Sequence, residues 1–389
     1  MSSLHDHSAC PTGAPPEPKG DHTMSATDLF PRDISGLLSA ARPTLHRLRD
    51  GDRLALEIAP VVKRIGDSDV RMIAYNGSIP GPTLHVDQGS EITVDVINNG
   101  DVETTVHWHG IRLDNRYDEV PNDTQAPIEI GETFTYRVRF PDPGFYWYHP
   151  HLREDFGQEM GISGTIIVEP ADPTYWPPVD RQLAITLDDV LIQEGLIAPF
   201  SRYGPTFTAM GRFGNVLLIN GEERLTAEVS LGDIVRLHLV NTANTRIFNV
   251  AIPDARMKLV GGDSGRYERE AFVTEVRLAP SERAIVDVLF DKAGDARFQH
   301  RTPDHTYELG RFSVASTNSA YESFGSTRTL RSWARPSCAT GNERPTRPSP
   351  SARPCRSCTG RMRQPLPGIA ARCTRRSLRA NPAAVRSAA

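Results

Sequence analysis

The chain contains one β-rich pattern twice, and that repeat restricts its architecture more than any other feature. With Gly89 placed over Gly232, apolar residues recur at the same offsets, Ile92, Val94 and Val96 matching Val235, Leu237 and Leu239. Both runs close on an asparagine, Asn98 and Asn241. A spacing of two puts each trio on one face of a strand. Farther on, GETFTYRVRFPDPG (131–144) aligns without a gap to SERAIVDVLFDKAG (281–294), with Phe140 over Phe290 and Gly144 over Gly294. From Arg53 to Ser316, short alternating runs rich in Val, Ile, Thr and aromatics are separated by turn signals such as Asn76-Gly77, Asn99-Gly100 and Pro143-Gly144. The pattern predicts an all-β chain with two tandem sandwich or barrel domains, at 51–172 and 173–317. Their boundary falls in ADPTYWPPVD (171–180), where consecutive prolines cannot continue a central strand.

The two ends read differently. Residues 1–50 are rich in Pro, Ser, Gly and His with little periodicity, which predicts a disordered arm. From Asn318 onward the alternation stops, and the segment has fourteen Arg, no Lys and only Glu322 and Glu343 as acids. It is too poor in apolar residues to fold alone, which predicts a low-order basic tail over 318–389. Its composition is that of a GC-rich coding region read out of frame, so a frameshift product is the expectation. The rest of the chain carries 30 basic against 46 acidic residues, a net charge of −16 that argues against nucleic acid as a partner. No stretch approaches the roughly 18 apolar residues of a membrane helix, and the start has no basic, apolar and small-residue leader pattern. The expectation is a soluble, cytoplasmic protein with no membrane partner.

Cysteine usage is equally uneven. Cys10 stands in the arm, while Cys338, Cys355, Cys358 and Cys373 stand in the tail, so the two predicted domains have neither a disulfide framework nor a cysteine ligand. With no histidine after His305 and no second close pair, Cys355-x-x-Cys358 reads as a chance spacing.

Four of the twelve histidines fall in two short motifs, His107-Trp108-His109-Gly110 and Tyr148-His149-Pro150-His151. On a strand, residues i and i+2 point to the same side, so each pair offers two imidazoles to one place. An isolated His-x-His is an ordinary pair of solvated or hydrogen-bonded strand histidines. Two such pairs within one domain, among aromatic strands, instead favour a metal that prefers imidazole: copper, zinc, iron or nickel. The repeat supplies an independent check. His149 falls over Gln299 and His151 over Arg301, and His107 and His109 fall near Val250 and Ile252. The second copy keeps the apolar pattern and drops the histidines, so the fold does not demand them. His85, His238, His300 and His305 are scattered singly, and His5, His7 and His22 lie in the arm.

YNGSIPGPTL, TVHWHGIRLDNRYDEVPNDTQAPI and FYWYHPH resemble the first cupredoxin domain of three-domain, laccase-like multicopper oxidases, and NVLLINGE and KLVGGDSGR with LAPSERAIVDVLF resemble the second. The resemblance covers about residues 50–316 and implies two tandem Greek-key cupredoxin, plastocyanin-like domains. It implies copper as cofactor, dioxygen as the electron acceptor and a phenol or metal ion as the reducing substrate. By motif position, His107 is implied as a ligand of the type 2 copper, and His109, His149 and His151 as ligands of the type 3 pair. Asp118, nine residues past His109, matches the acidic position that helps to supply protons to reduced oxygen. The family usually follows it with Gly, where this chain has Glu119.

The family's third domain brings His-x-x-His-x-His for the remaining cluster ligands, and His-Cys-His with a later His, often with a Met, for the type 1 copper. None of these motifs occurs in this sequence. The resulting expectation is an oxidoreductase lacking its third cupredoxin domain, impaired by loss of the type 1 site and half of the trinuclear-cluster ligands. The alternatives are a non-catalytic copper-binding or copper-sequestering protein, or an inactive truncated gene product. An exposed face of the second domain would then be open to oligomer formation, and family habit makes the periplasm or the exterior the alternative location.

Overall fold

The computed structural model of the chain describes residues 31–118, 120–199 and 211–316. The arm's first thirty residues and the predicted tail beyond Ala315-Ser316 lie outside the described residues. The first half contains β1 (Leu45–Arg47), β2 (Arg53–Ile65), β3 (Ser68–Tyr75), β4 (Thr83–Asp87) and β5 (Glu91–Asn98). It continues through β6 (His107–His109), β7 (Thr133–Arg139), β8 (Gly144–His149), the short helix α1 (Glu154–Glu159) and β9 (Gly164–Glu169). These strands form a four-stranded sheet, β3-β2-β5-β7, and a five-stranded sheet, β1-β4-β9-β8-β6.

The second half contains β10 (Arg181–Val190), β11 (Ile192–Gln193), β12 (Leu196–Ile197), β13 (Val216–Ile219), β14 (Leu225–Ser230) and β15 (Ile234–Asn241). After these come β16 (Phe248–Ala251), β17 (Arg256–Gly262), β18 (Gly265–Val273), β19 (Val276–Leu278), β20 (Arg283–Leu289), β21 (Gly294–Arg301) and β22 (Thr306–Ala315). Six strands make one sheet, β13-β10-β15-β20-β17-β18, five make another, β14-β22-β21-β16-β19, and β11 and β12 pair as a separate two-stranded ribbon. The all-β cupredoxin class read from the sequence is the observed one.

Residues 31–50, expected to belong to a disordered arm, are instead laid onto the first sandwich. β1 runs parallel to β4, with Leu45 opposite Thr83 and Arg47 opposite His85. The peptide groups of Ala40 and Leu38 bond to Val62, and that of Ala41 to Gly77. The segment is held by backbone bonds to existing strand edges, which need no apolar periodicity of its own.

The repeat is reproduced in detail. Ile92, Val94 and Val96 on β5, and Val235, Leu237 and Leu239 on β15, all point into their respective cores. Gly89 and Gly232 each donate their N–H to the carbonyl of the matching phenylalanine, Phe140 and Phe290, at 2.7 and 2.8 Å. The two asparagines are used identically. Asn98 Nδ2 donates to the carbonyls of Val102 and Ile128 and Asn98 Oδ1 accepts from Gly100 N–H. Asn241 does the same with Arg246, Leu278 and Ala243. Each asparagine satisfies three backbone groups where a strand gives way to a loop, a place where unbonded buried peptide groups would cost about 1–3 kcal/mol each.

The two halves meet through a third apolar cluster. Phe145 and Trp147 of β8 and Ile167 of β9 pack against Val240, Val260 and Ile285 of the second half, with Trp176 of the connecting segment beside them. β8 is therefore buried along its whole length. Each of these large side chains contributes about 2 kcal/mol by leaving water. The polar border of the seam includes a hydrogen-bonded chain in which His85 bonds Glu169 at 2.9 Å, Gln182 bonds Glu169 at 3.1 Å and His238 bonds Gln182 at 2.7 Å.

Two outcomes follow for stability. Asn98→Ala removes three backbone partners, and chemical denaturation should show a loss of about 2–3 kcal/mol; a midpoint within error of the parent would contradict the bonding described. Burial and then the nearby Arg236 cation hold His238 neutral in the fold, with its pKa pushed down to about 3 from 6.5. Since the unfolded chain takes up the proton first, the penalty is absent above pH 6.5 and grows as pH falls from there toward 3, by about 1.4 kcal/mol per pH unit. The His238→Gln variant should lose less stability than the parent across that window, as read by urea midpoints at successive pH values.

Candidate metal centre

β6 and β8 pair antiparallel, with His107 opposite His149, Trp108 opposite Tyr148 and His109 opposite Trp147. The pleat then sorts these side chains by face. Trp108 and Tyr148 turn into the core of the first sandwich, 5.7 Å apart between ring centres. His107, His109, Trp147 and His149 turn to the outer face. His151 follows just beyond the strand end, where its N–H donates to Thr105 Oγ1 at 3.3 Å.

The four imidazoles converge as the motifs predicted. Ring centres of His107 and His151 are 4.3 Å apart and nearly parallel, and His107 lies 5.2 Å from His109 and 5.3 Å from His149. His109 Nδ1 and His149 Nε2 approach to 3.2 Å. His149 is fully buried, stacked on Trp147 at 4.0 Å, and its Nδ1 lies 3.0 Å from the carbonyl of Pro150. A carbonyl can only accept, so that contact assigns the proton to Nδ1 and leaves the Nε2 lone pair facing His109. Gly110 ends the first motif at φ +84°, and a Cβ there would stand 2.5 Å from Arg283 Nη2. Only glycine lets that guanidinium approach so closely.

The electrostatics favour neutral rings. Burial, then the cations of Arg283, and then neighbouring imidazoles, push His109 down to about 3. Burial, reinforced by His107 and His109, pushes His149 well below its ordinary value. At neutral pH both therefore offer lone pairs, the form that binds metal. One ligand atom from each of His107, His109 and His149 falls within 4.8 Å of the others, and the same holds for His149, His151 and Glu154. Metal–imidazole bonds of about 2.0–2.1 Å hold two donors no more than about 4.2 Å apart, so small side-chain rotations close either group. The all-imidazole donor set fits copper.

Asp118 caps a short 3₁₀ turn, Asn115–Tyr117, with its N–H donating to Asn115 O at 3.2 Å. It is half-buried and lies outside both groups of converging donors. Two residues near the histidines were not singled out from sequence. Arg283 reaches across from β20, its Nε 3.3 Å from the carbonyl of Phe145, and is paired to Asp263 at 3.1 Å. The repeat carried a signal for it, since this buried arginine stands where the first copy has the exposed Thr133. Glu154 stands three residues past His151, at the head of α1, a spacing that marks an acid beside the motif.

A family model described as multicopper oxidase matches residues 60–173, the stretch that holds all four histidines. The multicopper oxidase mco of Staphylococcus epidermidis is 29% identical over 227 residues, covering 57% of this chain and 49% of the relative. Copper resistance protein A of Escherichia coli is 27% identical over 290 residues, covering 63% and 47% respectively. The chain thus spans about half the length of the curated relatives it matches. Among solved structures, that of Lac15 from a marine microbial metagenome superposes with a TM-score of 0.59 at 33% identity, covering 69% of this chain and 68% of that one. The repeated sandwich, the paired histidine motifs and these likenesses together place the chain in the multicopper oxidase family.

Proposed function

We propose that the chain binds copper through His107, His109, His149 and His151, as half of the ligand set of an oxygen-reducing cluster. The observation that carries this reading is the convergence of four imidazoles on one outer sheet face, with His109 and His149 held neutral by burial. In that reading His107 serves a type 2 ion, and His109, His149 and His151 serve a type 3 pair. In a completed cluster, copper held there would supply the electron-transferring chemistry by which electrons taken from a phenol or a metal ion reduce dioxygen to water. The protein's own contributions are distinct. Trp147 and the seam shut one side of the site from water, Pro150 O fixes the His149 ring, and Gly110 admits Arg283 beside His109. Asp118 is proposed as the proton source.

Electron entry is a separate requirement. A type 1 copper takes a cysteine thiolate among its ligands, and the sequence between Cys10 and Cys338 contains no cysteine. By this reading the polypeptide binds copper without completing the oxidase cycle by itself, a copper-holding role.

The test is to load the purified chain with copper(II), remove excess ion, and measure copper content, visible absorbance and phenol oxidation. Bound copper with no blue-copper absorption and no phenol oxidation above a free-copper blank is expected. His109→Ala and His149→Ala should each lower the retained copper. Blue absorption with catalytic phenol turnover would overturn the copper-holding reading, and copper retention unchanged by both substitutions would remove the histidines from the site.

A further inference from the structure

His149 is the pivot of the centre because its two ring nitrogens face different groups. Nε2 is turned to His109 Nδ1 at 3.2 Å, the side on which the histidine donors converge. On the other side, Nδ1 lies 3.0 Å from Pro150 O and 3.6 Å from Glu154 Oε1. The carboxylate is not placed there by chance packing. Gln158, one turn along α1, donates its Nε2 to Glu154 Oε1 at 2.7 Å. The far end of α1 is clamped in turn, with Glu159 accepting from Arg212 Nε and Nη2 at 2.6 and 2.8 Å. The helix therefore presents Glu154 to His149 from a fixed base.

We propose that Glu154 is a positioning residue for the metal centre, acting through His149; the inference rests on the copper-binding reading above. A ring nitrogen carries either a proton or a metal, so a histidine that ligates through Nε2 keeps its proton on Nδ1. Metal binding at Nε2 draws charge from the ring and makes the Nδ1 proton a stronger donor. A carboxylate 3.6 Å away gains from that change and in return fixes the ring orientation and raises the basicity of Nε2, as outer partners of metal-bound histidines do. Pro150 O alone, a neutral acceptor, gives orientation without the compensating charge. Gln158 Nε2 also lies 3.4 Å from His149 Nδ1, but two donors do not bond to each other, so the amide serves Glu154. The same atoms admit a rival arrangement, because Glu154, His149 and His151 form a converging group of their own. A metal in that group would take His149 through Nδ1, at the cost of the Pro150 contact, and Glu154 would be a ligand.

Copper(II) affinity at neutral pH, measured by competition with a chelator, separates these cases when read together with electron paramagnetic resonance and X-ray absorption of the loaded protein. Glu154→Gln should weaken copper binding about 10- to 100-fold, with the count of nitrogen and oxygen ligands unchanged, and Glu154→Asp should recover part of the loss. Gln158→Leu, which frees the carboxylate, should weaken binding in the same direction. Glu154 is 44% exposed, so these variants are expected to keep the parent's circular dichroism. Unchanged affinity in Glu154→Gln overturns the proposal, as does loss of an oxygen ligand on that substitution, which makes Glu154 a ligand. If the parent chain binds no copper, the functional reading fails and this inference with it. If the parent binds and Glu154→Gln binds equally, this inference alone fails.

Discussion

The structure turns on β8 being buried on both faces. Its residues alternate, as any strand's do, but here both directions lead to protein. Tyr146 and Tyr148 enter the core of the first sandwich, and Phe145 and Trp147 enter the seam with the second. His149 occupies the next position on the seam side, fully buried. One strand thus links the stability of each half to the place where imidazoles gather. Arg283 follows from the same constraint, because only a β20 packed against β8 can carry a guanidinium to Gly110 and the edge of His109.

The second copy of the repeat shows what β8 would look like without this duty. On β21 the inward residues Ala296 and Phe298 are buried, while Asp295 and Arg297 point outward to solvent. Phe145 and Trp147 stand at the matching positions of the first copy. A strand reading Phe-Tyr-Trp-Tyr has no polar face, and that loss of alternation in one copy alone was the visible sign of an interface. The cores themselves were legible because the same offsets recur in both copies, down to the asparagines that close β5 and β15. The edge segment around β1 was not, because Leu45–Arg47 join the sheet through backbone bonds and leave Leu45 exposed. Peptide groups look alike in every sequence.

The convergence of the histidines was legible for a related reason. His-x-His on a strand is a statement about one face, and the antiparallel register of β6 against β8 brings two such statements together. Partners that act from outside the motif left weaker marks. Glu154 belongs to a helix of six residues, Glu154–Glu159, too short to show an amphipathic period. Arg283 stands on β20, in the second copy of the repeat, and its closeness to His109 depends on the packing angle of the seam, which no local pattern encodes. The charge of Arg283 and the burial of His109 and His149 act in one direction, keeping protons off the rings.

Separation of the scaffold from the centre is the physical basis of that arrangement. None of the four histidines belongs to the apolar clusters that hold the sandwiches together. Their neighbours on the buried side, Trp108, Tyr148 and Trp147, do. The scaffold therefore fixes the backbone and the ring stacking, with Pro150 O holding His149 through Nδ1 and leaving its Nε2 turned to His109. The second copy keeps its core residues while carrying Gln299 and Arg301 where the first has His149 and His151. Burial of His149 carries a desolvation cost for its protonated form that the bond to Pro150 O offsets only in part, and a neutral ring with Nε2 turned to His109 is the state the packing selects. With His109 and His149 neutral before any metal arrives, metal binding at those two rings has little proton release to work against.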